Sequence, residues 1–246
     1  MAGSLAFVFS GAFANESAST GPFTSPTRTA SSPTILGIAP EGATISGVLP
    51  SAQHVTSVKP MLVDRLLRQG AMTELVGPLS SGRTSLLTLC LRDVTRRGAL
   101  AALVDTDHAF DAAGAAAAGV ELDRVLWVRA EGQRRQALKA ADLLVRCPGF
   151  ALIALDLGES PPRLPVGAAY RLRLAARRSG VALLIVSARR VAGGAAALAV
   201  AARRDRLAWA GPGPVPRRLA GLRSEFHLVR KQGAPSAAPE RVWWTA

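Results

Sequence analysis

Thr73-Glu74-Leu75-Val76-Gly77, running into Pro78-Leu79-Ser80-Ser81-Gly82-Arg83-Thr84, decides the fold. TELVG (73–77) reads as a buried strand, Gly77 to Thr84 as a glycine-bounded loop, and Ser85 to Arg97 as a helix stopped by Gly98. The loop fits G-x-x-x-x-G-K-[ST] except at one position, and it has the strand–loop–helix setting that this fingerprint requires. Gly77 and Gly82 let the backbone N–H groups of the loop, those of Ser80 and Ser81 included, wrap a phosphate. The helix N-terminus adds its partial positive charge, and the Thr84 hydroxyl is placed to meet Mg²⁺. The departure is Arg83, where lysine belongs. Lysine is a slim point charge; a guanidinium is planar and wider, so Arg83 must either point outward or occupy the phosphate pocket itself. The motif therefore speaks for a phosphate-loop fold more strongly than for ATP turnover.

Working outward, strands and helices alternate. LVDRLLRQ (62–69) reads as a short helix ended by Gly70, ALAALVD (99–105) as a strand, and 111–118 as an alanine-rich helix. RVLWVR (124–129), ALIALD (151–156) and VALLIVS (181–187) read as strands, with helices over 132–146 and 167–178. Strands that are continuous apolar runs separated by helices indicate a mostly parallel sheet covered on both faces. LAWA (207–210), SEFHLVRK (224–231) and RVWWTA (241–246) read as short antiparallel additions. Asp156 closes an apolar strand, the place from which a phosphate-loop enzyme holds Mg²⁺.

Residues 1–34 are rich in Ser, Thr, Gly, Pro and Ala with almost no charge, and are expected to be a disordered tail. Residues 35–60 are an arm or linker, and 61–246 a single core domain. The opening LAFVFSGAFA is apolar and Ala12-Phe13-Ala14 mimics a signal-peptidase site, but no Lys or Arg precedes it. No apolar run reaches about 18 residues, so no membrane-spanning helix and no membrane partner are expected, and the location is expected to be cytoplasmic. Cys90 and Cys147 both have apolar neighbours and are expected to be buried, reduced thiols. His54, His108 and His227 show no metal-ligand spacing.

The 30 basic and 17 acidic residues are unevenly spread. Residues 1–60 and 61–159 are each neutral, the latter with twelve charges of either sign, whereas 160–246 carry sixteen basic against three acidic residues. The whole net charge of +13 thus lies in the last third, which suggests an anionic partner, with nucleic acid the commonest. Arg171, Arg173, Arg177 and Arg178 share one expected helix; Arg189, Arg190, Arg203, Arg204, Arg206, Arg217 and Arg218 fall in what read as connecting segments. These arginines form either a phosphate-backbone surface or a set of contacts to an acidic protein. Few aromatics interleave, so base stacking is not expected, and Trp209, Trp243 and Trp244 read as core or edge-strand packing.

These pieces, from about 62 to 246, resemble the RecA recombinases. GPLSSGRT resembles their phosphate loop, LVDTDHAFD (103–111) the strand that delivers a catalytic glutamate and then an adenine contact, and ALIALD the Mg²⁺ strand. LLIVSARR (183–190) resembles the strand ending in the glutamine switch, and 193–209 with 227–244 the closing helix and strands. The resemblance places Asp107 at the catalytic-glutamate position, Asp111 at the adenine contact, and Gly114 where an aromatic would stack on adenine. It places Ala188, which has no amide to sense a γ-phosphate, at the switch. The first DNA loop is replaced by ESPPRLPVG (159–167), and the second is shortened to Val191-Ala192.

A RecA core altered in this way resembles the ImuA family, RecA/SulA-like accessory proteins of the bacterial mutasome. That resemblance implies a non-hydrolysing role in SOS damage tolerance and translesion synthesis, with RecA, ImuB and an error-prone polymerase as partners and DNA as a further contact. ATP and Mg²⁺ would then be bound weakly or lost. An active DNA-dependent ATPase and a SulA-like inhibitor of cell division are the alternatives.

Overall fold

The computed structural model describes residues 6–8, 60–159, 161, 163–212, 217–231 and 238–245. Their strands are β1 (Ala6–Val8), β2 (Met72–Val76), β3 (Leu100–Asp105), β4 (Val125–Arg129), β5 (Phe150–Asp156), β6 (Ala182–Ser187), β7 (Leu198–Ala210), β8 (Arg218–Lys231) and β9 (Glu240–Thr245). The helices are α1 (Pro60–Leu66), α2 (Arg83–Arg96), α3 (Ala112–Ala117), α4 (Arg134–Arg146) and α5 (Val166–Ser179). The strands form one sheet in the order β1-β4-β3-β5-β6-β2-β7-β8-β9. Strands β4, β3, β5, β6 and β2 are mutually parallel. β1 at one end and β8 and β9 at the other pair antiparallel.

Side chains of successive residues leave a strand on opposite faces, so each apolar run feeds two cores. Ala101 and Leu103, Leu152 and Ala154, Leu184 and Val186 pack with α2 and Ala115 of α3 on one face. Ala102 and Val104, Ile153 and Leu155, Leu183 and Ile185 pack against α4 and α5 on the other. α5 ends on Gly180 at φ 78°, a conformation that favours glycine, whose N–H closes the last turn on Ala176.

The mostly parallel α/β sheet and its antiparallel C-terminal strands follow the sequence reading, but three details differ. Two of the last three strands are not short: β7 has 13 residues and β8 has 14, whereas β9, with six, is as short as expected. β7 also has two roles, running parallel to β2 over Leu198–Ala201 and antiparallel to β8 along its length. No helix forms between β6 and β7, where the closing helix was expected; the link turns on Gly193 and Gly194 instead. The arginines at 203, 204 and 206 therefore lie within a strand rather than in a connecting segment, and Arg218 opens β8.

Ala6–Val8, inside the expected tail, pair with β4; the rest of 1–34, and 35–59, lie outside the described residues. Cys90 is buried, but Cys147 is exposed, because it caps α4 at the turn into β5, where Arg146 to Gly149 all face solvent. Among the described residues no helix is long and apolar enough to cross a membrane.

Candidate phosphate-loop site and basic ribbon

The C-terminal ends of the parallel strands carry the site. Gly77 leaves β2 with its N–H on the Ser187 carbonyl at 3.1 Å. A Cβ there would stand 2.6 Å from the Ala202 carbonyl oxygen, so the close pass of β7 requires glycine. The Ser81 N–H turns back to the Pro78 carbonyl at 3.3 Å, and the Ser80 backbone sits at φ 57°. Gly82 caps α2 at φ 88°, where a side chain would collide with Ser224 and Trp244. β8 and β9 thus wall off one side of the loop, and Trp244 Nε1 donates to Ser224 Oγ at 2.9 Å.

Arg83 folds inward. Its guanidinium donates to the carbonyl of Gly77 and to the carboxylate of Glu159, with only 7% of the side chain exposed. Arg83 therefore does not point outward, and its cation is held by the protein's own groups. The wider guanidinium reaches back to the loop's own first carbonyl and across to the segment after β5. A lysine-type contact to a terminal phosphate would need this guanidinium to move, so the loop as it stands does not fit one.

Asp156 is buried at the end of β5, and its Oδ1 accepts the Gly158 N–H at 2.9 Å. Burial pushes its carboxyl up to about 6; the Gly158 hydrogen bond and the Arg83 charge oppose that, while Asp105 and Asp107 add to it. Asp107 is exposed and lies against Gly158. Asp105 is structural: its oxygens accept the N–H groups of Ala109 (3.2 Å) and Phe110 (3.0 Å) and the indole N–H of Trp127 (3.3 Å). Asp111 caps α3 by accepting the Gly114 N–H at 2.9 Å.

Thr84 and Asp111 line a hollow of about 290 Å³ together with Phe110, Gly114 and Trp244. The loop, Asp107 and Asp156 gather at one end of the sheet, with Thr84 and Asp111 on this hollow beside α2. Ala188 lies at the same end, its N–H on the Gly158 carbonyl at 3.1 Å. Glu159, Ser224 and Trp244 were not singled out from sequence as site residues; each reaches the loop from a distant segment.

The arginines do not gather. Arg171, Arg173, Arg177 and Arg178 are on α5, whereas Arg203, Arg204, Arg206, Arg217 and Arg218 are exposed on the β7–β8 ribbon and its turn. Those five make no ion pair with a described residue, unlike Arg223, which pairs with Asp205. Arg189 donates to the Pro161 carbonyl at 2.9 Å, and Arg190 faces the buried Glu74 at 3.6 Å. Glu74 in turn accepts the N–H groups of Val191 (2.8 Å) and Ala192 (2.7 Å), pinning the β6–β7 link to the core. Trp209, read as packing, is 52% exposed on the ribbon, where it pairs across the strands with Leu219. Trp244 is buried, as expected.

Fold and loop together define a RecA-like α/β protein whose phosphate-loop cation is held internally. Comparison with known proteins agrees: residues 62–160 match the RecA N-terminal domain. Protein RecA of Borrelia hermsii (strain HS1 / DAH) is 40% identical over 88 residues, which is 36% of this chain and 24% of that protein. Protein RecA of Desulfotalea psychrophila is 39% identical over 90 residues, 37% of this chain and 25% of that protein. The chain thus spans about a quarter of the length of these relatives. Among solved structures, the RadB recombinase superposes with a TM-score of 0.51 at 18% identity, covering 73% of this chain and 91% of that one. That likeness establishes the fold.

Proposed function

We propose that this protein is a non-hydrolysing RecA-like adaptor in DNA-damage tolerance, of the ImuA type, acting through contacts with RecA, ImuB, an error-prone polymerase and DNA. The observation that carries the reading is Arg83, buried between the Gly77 carbonyl and Glu159 where a catalytic loop would present a free cation to phosphate. Asp107, a methylene shorter than glutamate, and Ala188, with no amide, support it, because in-line attack on a phosphate tolerates little misplacement: about 1 Å can cost about a hundredfold. The basic ribbon supplies the surface for DNA or an acidic partner.

The second reading, a DNA-dependent ATPase, is favoured by two observations. The buried Ser81 hydroxyl has no hydrogen-bond partner among the described residues, and a hollow of about 290 Å³ stands beside α2. Mg²⁺-ATP calorimetry and turnover, with and without single-stranded DNA, separate the two. The adaptor reading expects turnover at background, and Arg83→Lys combined with Glu159→Ala should raise Mg²⁺-ATP affinity about tenfold, ~1.4 kcal/mol. DNA-stimulated turnover that disappears in Asp156→Ala would establish the ATPase instead.

A further inference from the structure

α5 breaks the usual pattern of a surface helix. Its buried residues, Ala169, Leu172, Ala175 and Ala176, face α4 and the sheet. The opposite side should be polar. Instead Val166, Tyr170 and Leu174 stand 73%, 48% and 47% exposed, at spacings of four. At about 100° per residue these three fall within about 80° of arc, centred almost opposite the buried residues. Arginines border the stripe. Arg173 lies about 20° outside it on one side, Arg178 and Arg171 about 40–60° outside on the other, and Arg177 within the arc in the last turn. Arg173, Arg177 and Arg178 make no ion pair with a described residue; Arg171 reaches Asp142 at 3.5 Å.

Both ends of the stripe open into hollows. At the N-terminal end, Val166 and Tyr170 rim a hollow of about 720 Å³ whose far wall is the link from Arg190 to Gly194, the segment that Glu74 pins. At the C-terminal end, Arg173 and Arg177 join Arg68 around a hollow of about 530 Å³. Three large apolar side chains in a row at the centre of an exposed helix face mark an interaction surface. Tyrosine and arginine are the side chains that most often anchor protein interfaces. A phosphate backbone would use the arginines but leave the apolar centre uncovered.

We propose that the exposed face of α5 docks an amphipathic helix of a protein partner, one with an apolar stripe flanked by Asp and Glu. The partner's apolar residues cover Val166, Tyr170 and Leu174, and its carboxylates meet Arg173 on one border and Arg171 and Arg178 on the other. The spacing of four matches the ridges by which helices interdigitate. The face lies across the sheet from α2, so it works whether or not nucleotide binds. It rests on the adaptor reading only in expecting a protein partner.

The test pans a phage-displayed library of helical peptides against the full-length protein, and measures enriched peptides by fluorescence anisotropy. Expected are sequences with apolar residues at spacings of three and four flanked by acids. Their affinity should fall about tenfold or more with Tyr170→Glu or Leu174→Glu. Arg173→Glu with Arg178→Glu should shift preference to lysine-flanked versions. Tyr170, Leu174 and Arg178 are exposed and Arg173 is half-buried with its guanidinium 5.9 Å from the centre of the Tyr170 ring, so melting temperatures check that each variant folds. The proposal fails if nothing acidic and amphipathic enriches, or if the enriched peptides ignore these substitutions. It fails equally if Tyr170→Glu weakens binding of a single-stranded oligonucleotide as much as that of the peptides, or if it splits a wild-type dimer in sedimentation. Failure of the panning with background ATP turnover would remove this surface and leave the adaptor reading standing.

Discussion

The two ends of this molecule use charge in opposite ways. At the C-terminal edge of the parallel strands three charged groups are consumed by the fold. Arg83 is held by Gly77 and Glu159, Glu74 by two backbone N–H groups, and Asp105 by two more and an indole. On the β7–β8 ribbon, Arg203, Arg204, Arg206, Arg217 and Arg218 are exposed and make no ion pair with a described residue, although Glu225 lies opposite Arg203 in the sheet register. Removing one partner of a charge held inside the fold is strongly destabilising, because the other is left buried and unpaired; a charge left in solvent contributes little to stability and is available for a partner. The phosphate loop therefore reads as structure, and the ribbon as function.

The comparison breaks most readily at Glu74. Glu74→Ala leaves the Val191 and Ala192 N–H groups buried without an acceptor, and should cost about 3 kcal/mol. Glu74→Gln keeps an acceptor oxygen and should cost clearly less. Arg203→Ala, Arg204→Ala and Arg206→Ala should each stay within about 0.5 kcal/mol of the parent. Urea denaturation of the five variants checks all of this. Ribbon variants as damaging as Glu74→Ala would erase the distinction.

Asp156 sharpens the same contrast through pH. Its carboxyl is raised to about 6 in the folded chain, against about 4 when unfolded. Between those values the folded state binds the proton more tightly. The group's contribution is therefore complete below about pH 4 and is lost as pH rises through about 6, a loss of about 2–3 kcal/mol. Asp156→Asn keeps an oxygen for the Gly158 N–H and cannot ionise. Its stability relative to the parent should rise by about that amount between pH 4 and pH 7. Parallel pH curves for the two proteins would mean that Asp156 is solvated rather than buried.

How far the sequence carried this picture follows from where each contact lies along the chain. β3, β5 and β6 were legible because each is an uninterrupted apolar run, as a strand covered on both faces must be. The loop was legible because its glycines and its strand–helix setting are local. Glu159, Ser224 and Trp244 were not, since their link to the loop is made across 76 or more residues by sheet order alone. The length of β7 was hidden for another reason: Arg203 to Arg206 are exposed at four successive positions and the pairing register shifts between Arg204 and Arg206, so no alternation marks the strand and RRDR in the middle of Leu198–Ala210 read as a break. Glu74 gave a signal that went unread. A carboxylate inside a buried strand needs donors, and donors to a buried strand come from a link folded back over it.

Substitutions on the ribbon are expected to have the smallest effect on stability and the clearest effect on any DNA binding. The ribbon arginines are exposed and make no ion pair with a described residue, so their guanidinium groups are open to phosphate. If they contact phosphates, each contact releases counterions, so affinity falls with salt in proportion to their number. Arg203→Glu, Arg204→Glu and Arg206→Glu together should lower the slope of log K against log salt by about three, with the melting temperature nearly unchanged. The same substitutions should weaken all DNA sequences alike, because phosphate contacts carry no sequence information. Fluorescence anisotropy of a labelled duplex from low to moderate salt measures both quantities. An unchanged slope would move DNA binding off the ribbon and leave its arginines, like those of α5, to an acidic protein. A changed slope would assign the ribbon arginines to nucleic acid and leave those of α5 to the peptide-binding test.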